Sequence, residues 1–213
     1  MKNYTFLFLT IILFSCTSVE VQEFNDNELN IDENVIFLEY LENDWQKNLN
    51  QNPLFASYVG DKRSNDKINS NSIIQFIEER SSEIESLNQL YSIDQSKLSE
   101  ENQLNYKLKE FGLKSSIGLS DFPTYFLRLN QRGGIQSFYE TGNRLVYTSK
   151  EDYFDWLSRL KQFSSNINNS LEINKEGLSK GITQPKIIVE GVVTQIDAIL
   201  NTDIDNNPYL QVF

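Results

Sequence analysis

The chain has 213 residues, a formal net charge of −11 and no histidine. A hydrophobic content of 39% with 12% aromatics is typical of a folded globular protein and not of a disordered one. The acidic balance disfavours nucleic acid and anionic lipid surfaces as partners, since both bind clustered Lys and Arg. Without histidine, and with one cysteine, neither a typical zinc site nor a Ser-His-Asp or Cys-His centre can be assembled from this sequence.

The N-terminus has the pattern of a bacterial export signal. Lys2 precedes an apolar run at positions 4–14, and Leu13-Phe14-Ser15-Cys16 resembles a lipobox. The run is too short to cross a bilayer as a helix, which needs about 20 apolar residues. We therefore expect a lipoprotein signal peptide at residues 1–15 and lipid on Cys16. The protein is then exported and lipid-anchored to the bacterial cell envelope, on its periplasmic or surface face. The alternative is an ordinary cleaved signal, or a short anchor, with an incidental cysteine.

The segment after Cys16 is acidic. Residues 17–46 contain nine Asp or Glu residues and neither Lys nor Arg. Because residues 16–33 also lack hydrophobic periodicity, they are predicted to be a solvated acidic tether. An acidic interaction arm is the alternative. Residues 34–213 contain no repeat or linker boundary, so we expect one helical unit, without an intramolecular disulfide.

Hydrophobic periodicity predicts three helices in the first half of that unit. The first begins near Glu33 and ends at Asn52-Pro53, the second spans about 72–91, and the third begins after Ser99, a capping residue followed by acids. The apolar faces are predicted to be formed, in chain order, by Leu38, Leu41, Trp45 and Leu49; by Ile73, Ile77, Ile84, Leu87 and Tyr91; and by Leu104, Leu108 and Phe111.

Two further helices are predicted after an irregular stretch. Residues 118–148 contain one proline and several glycines without helical periodicity, which predicts an irregular insert with a short strand near 125–129. Ser149-Lys150-Glu151-Asp152 is a capping-box pattern, and the helix behind it is expected to extend to Lys180, with Gly181 as its C-cap. Its buried face is predicted to include Trp156, Leu160, Phe163 and Ile167. The segment 187–200 is expected to be a last helix, so the predicted fold class is all-α, mainly helical.

Few residues are candidates for a functional site. The loop Asn130-Gln131-Arg132-Gly133-Gly134 combines amide, guanidinium and glycine residues that could line a cleft, although the pattern favours a plain loop. The segment 58–63 is interpreted as a helix exit, with a functional turn around Asp61 as the alternative. Three carboxylate pairs could in principle bind calcium or act in glycoside hydrolysis, but their spacing is typical of solvated surfaces. These pairs are Asp61 with Asp66, Glu78 with Glu79, and Glu151 with Asp152.

Five segments together resemble a bacterial family. They are Asn-Pro-Leu-Phe-Ala-Ser-Tyr-Val-Gly-Asp at 52–61, Leu-Ser-Glu-Glu-Asn-Gln-Leu-Asn-Tyr at 98–106, Leu-Asn-Gln-Arg-Gly-Gly at 129–134, the Glu-Asp-Tyr…Trp-Leu-x-x-Leu pattern within 150–160, and Glu-Gly-Leu-x-x-Gly-Ile-x-x-Pro at 176–185. In this order they are similar to the bacterial domain of unknown function 885, over roughly residues 35–200.

The resemblance implies a larger α-helical protein. Full-length members of the family resemble exported zinc metallopeptidases and carry a His-Glu…Pro-Gly-His segment in their C-terminal half. Nothing in this sequence matches that segment, so no metal ligand or catalytic residue can be assigned. We expect residues 34–213 to be the N-terminal part of such a protein, truncated at the C-terminus and inactive alone, with zinc in the missing half. A peptide substrate or that missing half is then the expected partner. A truncated end should also leave an apolar surface, formed by Val192, Ile196, Ile199, Leu200, Tyr209, Leu210 and Phe213.

Two alternatives remain. The chain could be a non-catalytic helical lipoprotein that binds peptides or a protein partner at the cell envelope. It could also be a structural envelope lipoprotein without a ligand.

Overall fold

A computed structural model describes residues 32–213, so the predictions for the signal peptide, Cys16 and nearly all of the tether lie outside the described residues. Within this range the protein has seven α-helices and no β-strand, which confirms the all-α prediction. The helices are α1 (Glu33–Gln51), α2 (Pro53–Tyr58), α3 (Ile73–Tyr91), α4 (Glu100–Leu119), α5 (Tyr139–Arg144), α6 (Lys150–Ser179) and α7 (Lys186–Leu200).

The helix ends follow the capping signals in the sequence. The side chains of Ser72 and Ser99 accept hydrogen bonds from the first turns of α3 and α4. At the start of α6, the Ser149 hydroxyl accepts from the N–H of Asp152, whose carboxylate accepts from the N–H of Ser149, so the predicted capping box is present. Gly181 follows α6 with a φ of 71°, the left-handed conformation that ends helices and favours glycine.

Helices α1, α3 and α4 form a three-helix bundle. Arg80, near the middle of α3, contacts Ser120, which caps the C-terminus of α4, whereas Tyr91, the last residue of α3, contacts Glu110, so these two helices are antiparallel. Tyr40 of α1 hydrogen-bonds through its hydroxyl to Ser86 of α3, with an O–O distance of 2.8 Å. The buried apolar side chains of the bundle are Phe37, Tyr40, Leu90, Ile93, Leu98, Tyr106 and Leu113.

The predicted apolar faces of these helices were largely wrong. Leu104, Leu108 and Phe111 of α4 are exposed, Phe111 at 72%, whereas Tyr106 and Leu113, seven residues apart, enter the core. On α3, Ile77 and Ile84 are likewise exposed, and so are Leu38 and Trp45 on α1. An amphipathic helix can carry two apolar stripes, and periodicity alone does not say which one meets a neighbour.

Helix α6 is the longest helix among residues 32–213, and the segment between α2 and α3 packs along it. Its 30 residues extend over about 45 Å at 1.5 Å per residue. Trp156 is 1% exposed, as predicted, while Leu160, Phe163 and Ile167 are only partly buried. The polar segment 59–72, between α2 and α3, lies along α6. Residues of this segment hydrogen-bond to positions 152, 155, 159, 162, 166 and 170 of that helix.

The irregular insert contains short helical turns where a strand was predicted. Residues Thr124–Leu127 and Ile135–Ser137 form 3₁₀ turns, and α5 follows. The strand prediction near 125–129 is therefore wrong. Tyr125 stacks on Phe76, and Phe126 packs against Tyr125, so neither residue is paired in a sheet. None of the helices between residues 32 and 213 combines the length and apolar character needed to cross a membrane.

Candidate binding cleft

A polar cleft lies between the α1–α3–α4 bundle and α6. Its volume is about 600 Å³, and its walls come from α1, the end of segment 59–72, α3, α4 and α6. Amide side chains are the most frequent residues in it: Asn48, Gln51, Asn52, Asn69, Asn71 and Asn166. Each amide presents both a donor and an acceptor, so a wall of amides suits a ligand that also alternates these groups.

The five asparagines among these amides are held in one connected hydrogen-bond network. Asn69 donates to Oδ1 of Asn52 at 3.0 Å, and Asn52 donates to Oδ1 of Asn48 at 2.6 Å. Asn166 of α6 donates to the carbonyl of Asn69 at 3.0 Å, and Asn71 donates to the carbonyl of Asn166 at 3.0 Å. These bonds link α1, the 59–72 segment and α6, so the positions of the cleft amides depend on one another.

The carboxylates of the polar cleft have partners within the protein. Asp44 is 2.5 Å from Nζ of Lys109 and accepts from the hydroxyl of Ser86 at 2.8 Å. Glu83 accepts from the hydroxyl of Ser116, and Glu79 accepts a longer bond from Gln75. The negative charge of the cleft is thus partly balanced by neighbouring donors.

An aromatic cavity adjoins the polar cleft. Its volume is about 200 Å³, larger than the roughly 150 Å³ of an engineered cavity that binds benzene. Phe76 and Tyr125 stack in its wall with ring centroids 5.3 Å apart, and Phe138 and Phe163 stack at 4.4 Å. Polar groups at its rim are Asn71, Arg128, Asn166, Ser170 and Asn174.

The cleft and the cavity share part of their walls. Asn71, Arg128, Phe138 and Asn166 line both of them. A single ligand can therefore place an extended polar part along the amides and an apolar side group in the aromatic cavity. That combination is the chemistry of a peptide, with its repeating N–H and C=O groups and its occasional large side chain.

Of the five loop residues predicted to line a cleft, the structure places only Gly134 there, in the wall of the aromatic cavity. Asn130 and Gly133 close a tight turn through two backbone hydrogen bonds, of 3.1 and 3.2 Å. Gln131 and Arg132 are exposed on this turn and do not line the cleft or the cavity. Asn130, Gln131, Arg132 and Gly133 thus lie outside the walls of the polar cleft and the aromatic cavity, on a turn that is closed by its own backbone hydrogen bonds.

The turn serves instead to attach the insert to α7. Gln136, buried at 5% exposure, donates to the carbonyl of Asn130 at 2.7 Å and to the side chain of Gln195 at 3.0 Å. Gln195 in turn donates to the carbonyl of Gln131 at 3.0 Å. This fixes the 130–136 backbone beside the cavity. No sequence pattern indicates it, because the two glutamines are 59 residues apart.

The carboxylate pairs singled out in the sequence are part of the surface or of local structure. Asp61 binds Arg63, and Asp152 binds Lys62 at 2.5 Å and caps α6. Glu78 and Glu151 are exposed. Between residues 32 and 213 no three His, Cys, Asp or Glu side chains come together in a group that could hold a metal ion.

An apolar groove lies on the other side of Phe163. Its volume is about 440 Å³, and it is formed by side chains of α6, α7 and the 3₁₀ turn at 135–137, together with Tyr209. Ile196, Ile199, Leu200 and Tyr209 line it as the sequence predicted, and Leu200 is 75% exposed. Val192 is not part of an open surface, since it is 2% exposed.

Comparison with known proteins supplies a family but no characterised relative. No curated protein and no solved structure matches the chain significantly. Residues 53–212 match the family described as "Bacterial protein of unknown function (DUF885)", a range that includes the 59–72 segment, the insert and α6. The match covers most of the chain, and the chain belongs to this family of bacterial proteins.

Proposed function

We propose that this chain is the peptide-binding part of an exported, lipid-anchored protein of the metallopeptidase type, and that it does not hydrolyse peptides alone. The observation that carries the proposal is the shared wall between the amide-lined cleft and the aromatic cavity. An extended peptide would pair its backbone with Asn69, Asn71 and Asn166 and place one side chain between Tyr125 and Phe138.

The composition of the chain supports a binding role without catalysis. The family resemblance implies zinc held by a His-Glu…His segment, and this sequence contains no histidine. Carboxylates, amides and carbonyls favour harder cations over zinc. Zinc would therefore be held by residues outside these 213, on a further segment or a separate polypeptide. The short apolar run ending in Leu-Phe-Ser-Cys16 supports export and lipid attachment.

The binding role is tested with a fluorescein-labelled pentapeptide, Ala-Ala-Phe-Ala-Ala, by fluorescence anisotropy with the full chain. Tyr125→Ala and Asn166→Ala should each weaken binding by about tenfold, because they remove a cavity wall and a cleft amide. Phe111→Ala and Asn168→Ala are the matched controls, since both side chains are exposed and lie outside the cleft and the cavity. Equal losses in the controls, or no binding by the unmodified chain, would refute the proposal.

A second candidate is a non-catalytic lipoprotein that binds a protein partner, including a polypeptide carrying the family's His-Glu segment. The apolar groove beside α7 favours this role, because Ile196, Ile199 and Leu200 present a contiguous apolar surface. Charged substitutions there, such as Ile199→Lys, would abolish partner capture and leave pentapeptide binding intact. Loss of pentapeptide binding by Ile199→Lys without unfolding would count against this division of roles.

A further inference from the structure

Arg128 occupies a distinctive position among the arginines of the chain. It lines both the aromatic cavity and the polar cleft, at the point where they meet. Of the six arginines, Arg63, Arg80 and Arg144 form ion pairs with carboxylates, and Arg132 is exposed outside the cleft and the cavity. Arg159 is completely buried. Arg128 is exposed, and within residues 32–213 no Asp or Glu oxygen lies within ion-pair distance of its guanidinium.

The Arg128 guanidinium is nonetheless held in place. Its central carbon lies 4.2 Å from the centroid of the Phe76 ring, a close cation–π contact. Phe76 itself stacks on Tyr125. Stacking uses the face of the guanidinium and leaves its edge, which carries the N–H donors, free to bind a ligand.

The carboxylates that could neutralise Arg128 are engaged elsewhere. Within the polar cleft Asp44 is paired with Lys109, Glu83 accepts from Ser116, and Glu79 accepts a 3.4 Å bond from Gln75. A guanidinium that is stacked on Phe76 but has no carboxylate partner among residues 32–213, in a chain with a net charge of −11, is a candidate to bind an anionic group of a ligand. The group whose geometry matches the guanidinium edge is a carboxylate, which accepts two parallel N–H bonds.

We propose that Arg128 binds a carboxylate of the peptide, and that the residue that bears this carboxylate, or a residue adjacent to it, places its side chain in the aromatic cavity. This inference rests on the proposed peptide-binding function and narrows the substrate class to peptides with an accessible carboxylate. That group is either the C-terminal carboxylate or an acidic side chain. The cavity of about 200 Å³ beside Arg128 accommodates one aromatic ring next to that carboxylate.

The test compares three N-terminally fluorescein-labelled peptides by anisotropy with the full chain. They are Ala-Ala-Ala-Ala-Phe as the free acid, the same sequence as its C-terminal amide, and Ala-Ala-Ala-Asp-Phe as its C-terminal amide. The free acid should bind about tenfold more tightly than its amide, which corresponds to about 1.4 kcal/mol. This preference should shrink at high salt, because it is electrostatic. If the aspartyl amide binds as tightly as the free acid, side-chain carboxylates are also recognised. If it binds only as tightly as the plain amide, the C-terminal carboxylate alone is recognised.

Variants of Arg128 test whether this residue causes the preference for the free acid over the amide. Arg128→Gln should bind the free acid and the amide equally, at the affinity of the unmodified chain for the amide. Arg128→Lys should keep part of the preference that Arg128→Gln loses, since a point charge remains. Arg144→Gln removes an exposed guanidinium outside the cleft and should leave the preference unchanged.

Three results would overturn the assignment. One is equal binding of all three peptides by the unmodified chain, which refutes carboxylate recognition while peptide binding stands. Another is a tenfold preference that survives in Arg128→Gln, which places the carboxylate on another group. Binding of none of the peptides refutes the peptide-binding function together with the inference.

Discussion

Gly142 of α5 lies directly against the indole ring of Trp156. A Cβ added to Gly142 would be 2.6 Å from Cζ2 of Trp156, closer than carbon atoms approach one another in folded proteins. Trp156 is buried and stacks on Phe138, whose ring lines the aromatic cavity. The absence of a side chain at position 142 therefore allows α5 to pack closely on α6 and supports a wall of the candidate site.

Replacing Gly142 by Ala should lower the free energy of unfolding by about 1 to 3 kcal/mol, the usual cost of overpacking a core. Gly112→Ala is the matched control, because nothing lies within 4 Å of a Cβ at that position of α4. The control should raise stability by about 0.5 to 1 kcal/mol, since alanine has a higher helix propensity than glycine. Urea unfolding followed by circular dichroism measures both. Equal effects of the two substitutions would contradict the Gly142–Trp156 contact.

Arg159 should be needed to hold the 59–72 segment on α6. Its side chain is fully buried and donates to the carbonyl of Lys67 at 2.8 Å and to the hydroxyl of Ser57 at 2.6 Å. Burial lowers the pKa of Arg159 from its ordinary value, because desolvation disfavours the charged form. Arg159→Met would leave these oxygen acceptors buried without donors and should cost about 1.5 to 3 kcal/mol.

The same variant should also show a local effect. In Arg159→Met, amide hydrogen exchange should accelerate within residues 59–72 more than in the α1–α3–α4 bundle. Lys161→Met is the control, since Lys161 is exposed on the same helix. Uniform acceleration across the chain would show that Arg159 stabilises the whole fold and does not specifically hold this segment.

Asp152 should make stability depend on pH in the acidic range. The hydrogen bond from Lys62, and then the one from the N–H of Thr148, lowers the pKa of Asp152 well below its ordinary value of 3.8. Because the folded-state pKa is the lower one, the stabilisation is complete above about pH 4 and is lost as pH falls through the folded-state pKa.

The comparison with Asp152→Asn measures this contribution. The difference in unfolding free energy between the unmodified chain and Asp152→Asn should be constant from pH 7 to pH 5 and should shrink below about pH 4. Glu151→Gln, at the exposed neighbouring position, should show no such trend. A difference that stays constant down to pH 2.5 would contradict the role assigned to the Asp152 carboxylate.

Lipid attachment is predicted to occur on Cys16, the chain's sole cysteine. Mass spectrometry of the membrane fraction should find an acylated N-terminal Cys16, and Cys16→Ser should release the protein from that fraction. Recovery of an unmodified Met1 N-terminus in the cytosol would refute export and lipidation.

Helix boundaries could be predicted from the sequence because their signals are local. Ser72, Ser99 and Ser149 each cap the helix that follows, and Gly181 takes the positive φ after α6. The buried faces could not be predicted equally well. Phe111 fits an apolar stripe of α4 yet is exposed, because α1 and α3 pack against Tyr106 and Leu113 instead.

Most of the candidate site could not be predicted from the sequence. Its amides come from α1, the 59–72 segment and α6, and Asn71 reaches Asn166 across 95 residues. Asparagine in a polar segment has the same local pattern whether it lines a cleft or contacts solvent. Arg128 lies two residues before the loop that the sequence singled out, but its importance follows from its stacking on Phe76, which periodicity does not reveal.

Hydrogen exchange of the full chain, with and without the pentapeptide Ala-Ala-Ala-Ala-Phe, tests peptide binding in the cleft most directly. The peptide should slow exchange in residues 69–76 and 125–138, which form the walls around Asn71, Tyr125 and Arg128, and mass spectrometry should recover it uncut. Slowed exchange confined to residues 196–209, or cleavage of the peptide that a chelator stops, would contradict the assignment of this chain as a non-catalytic peptide-binding part.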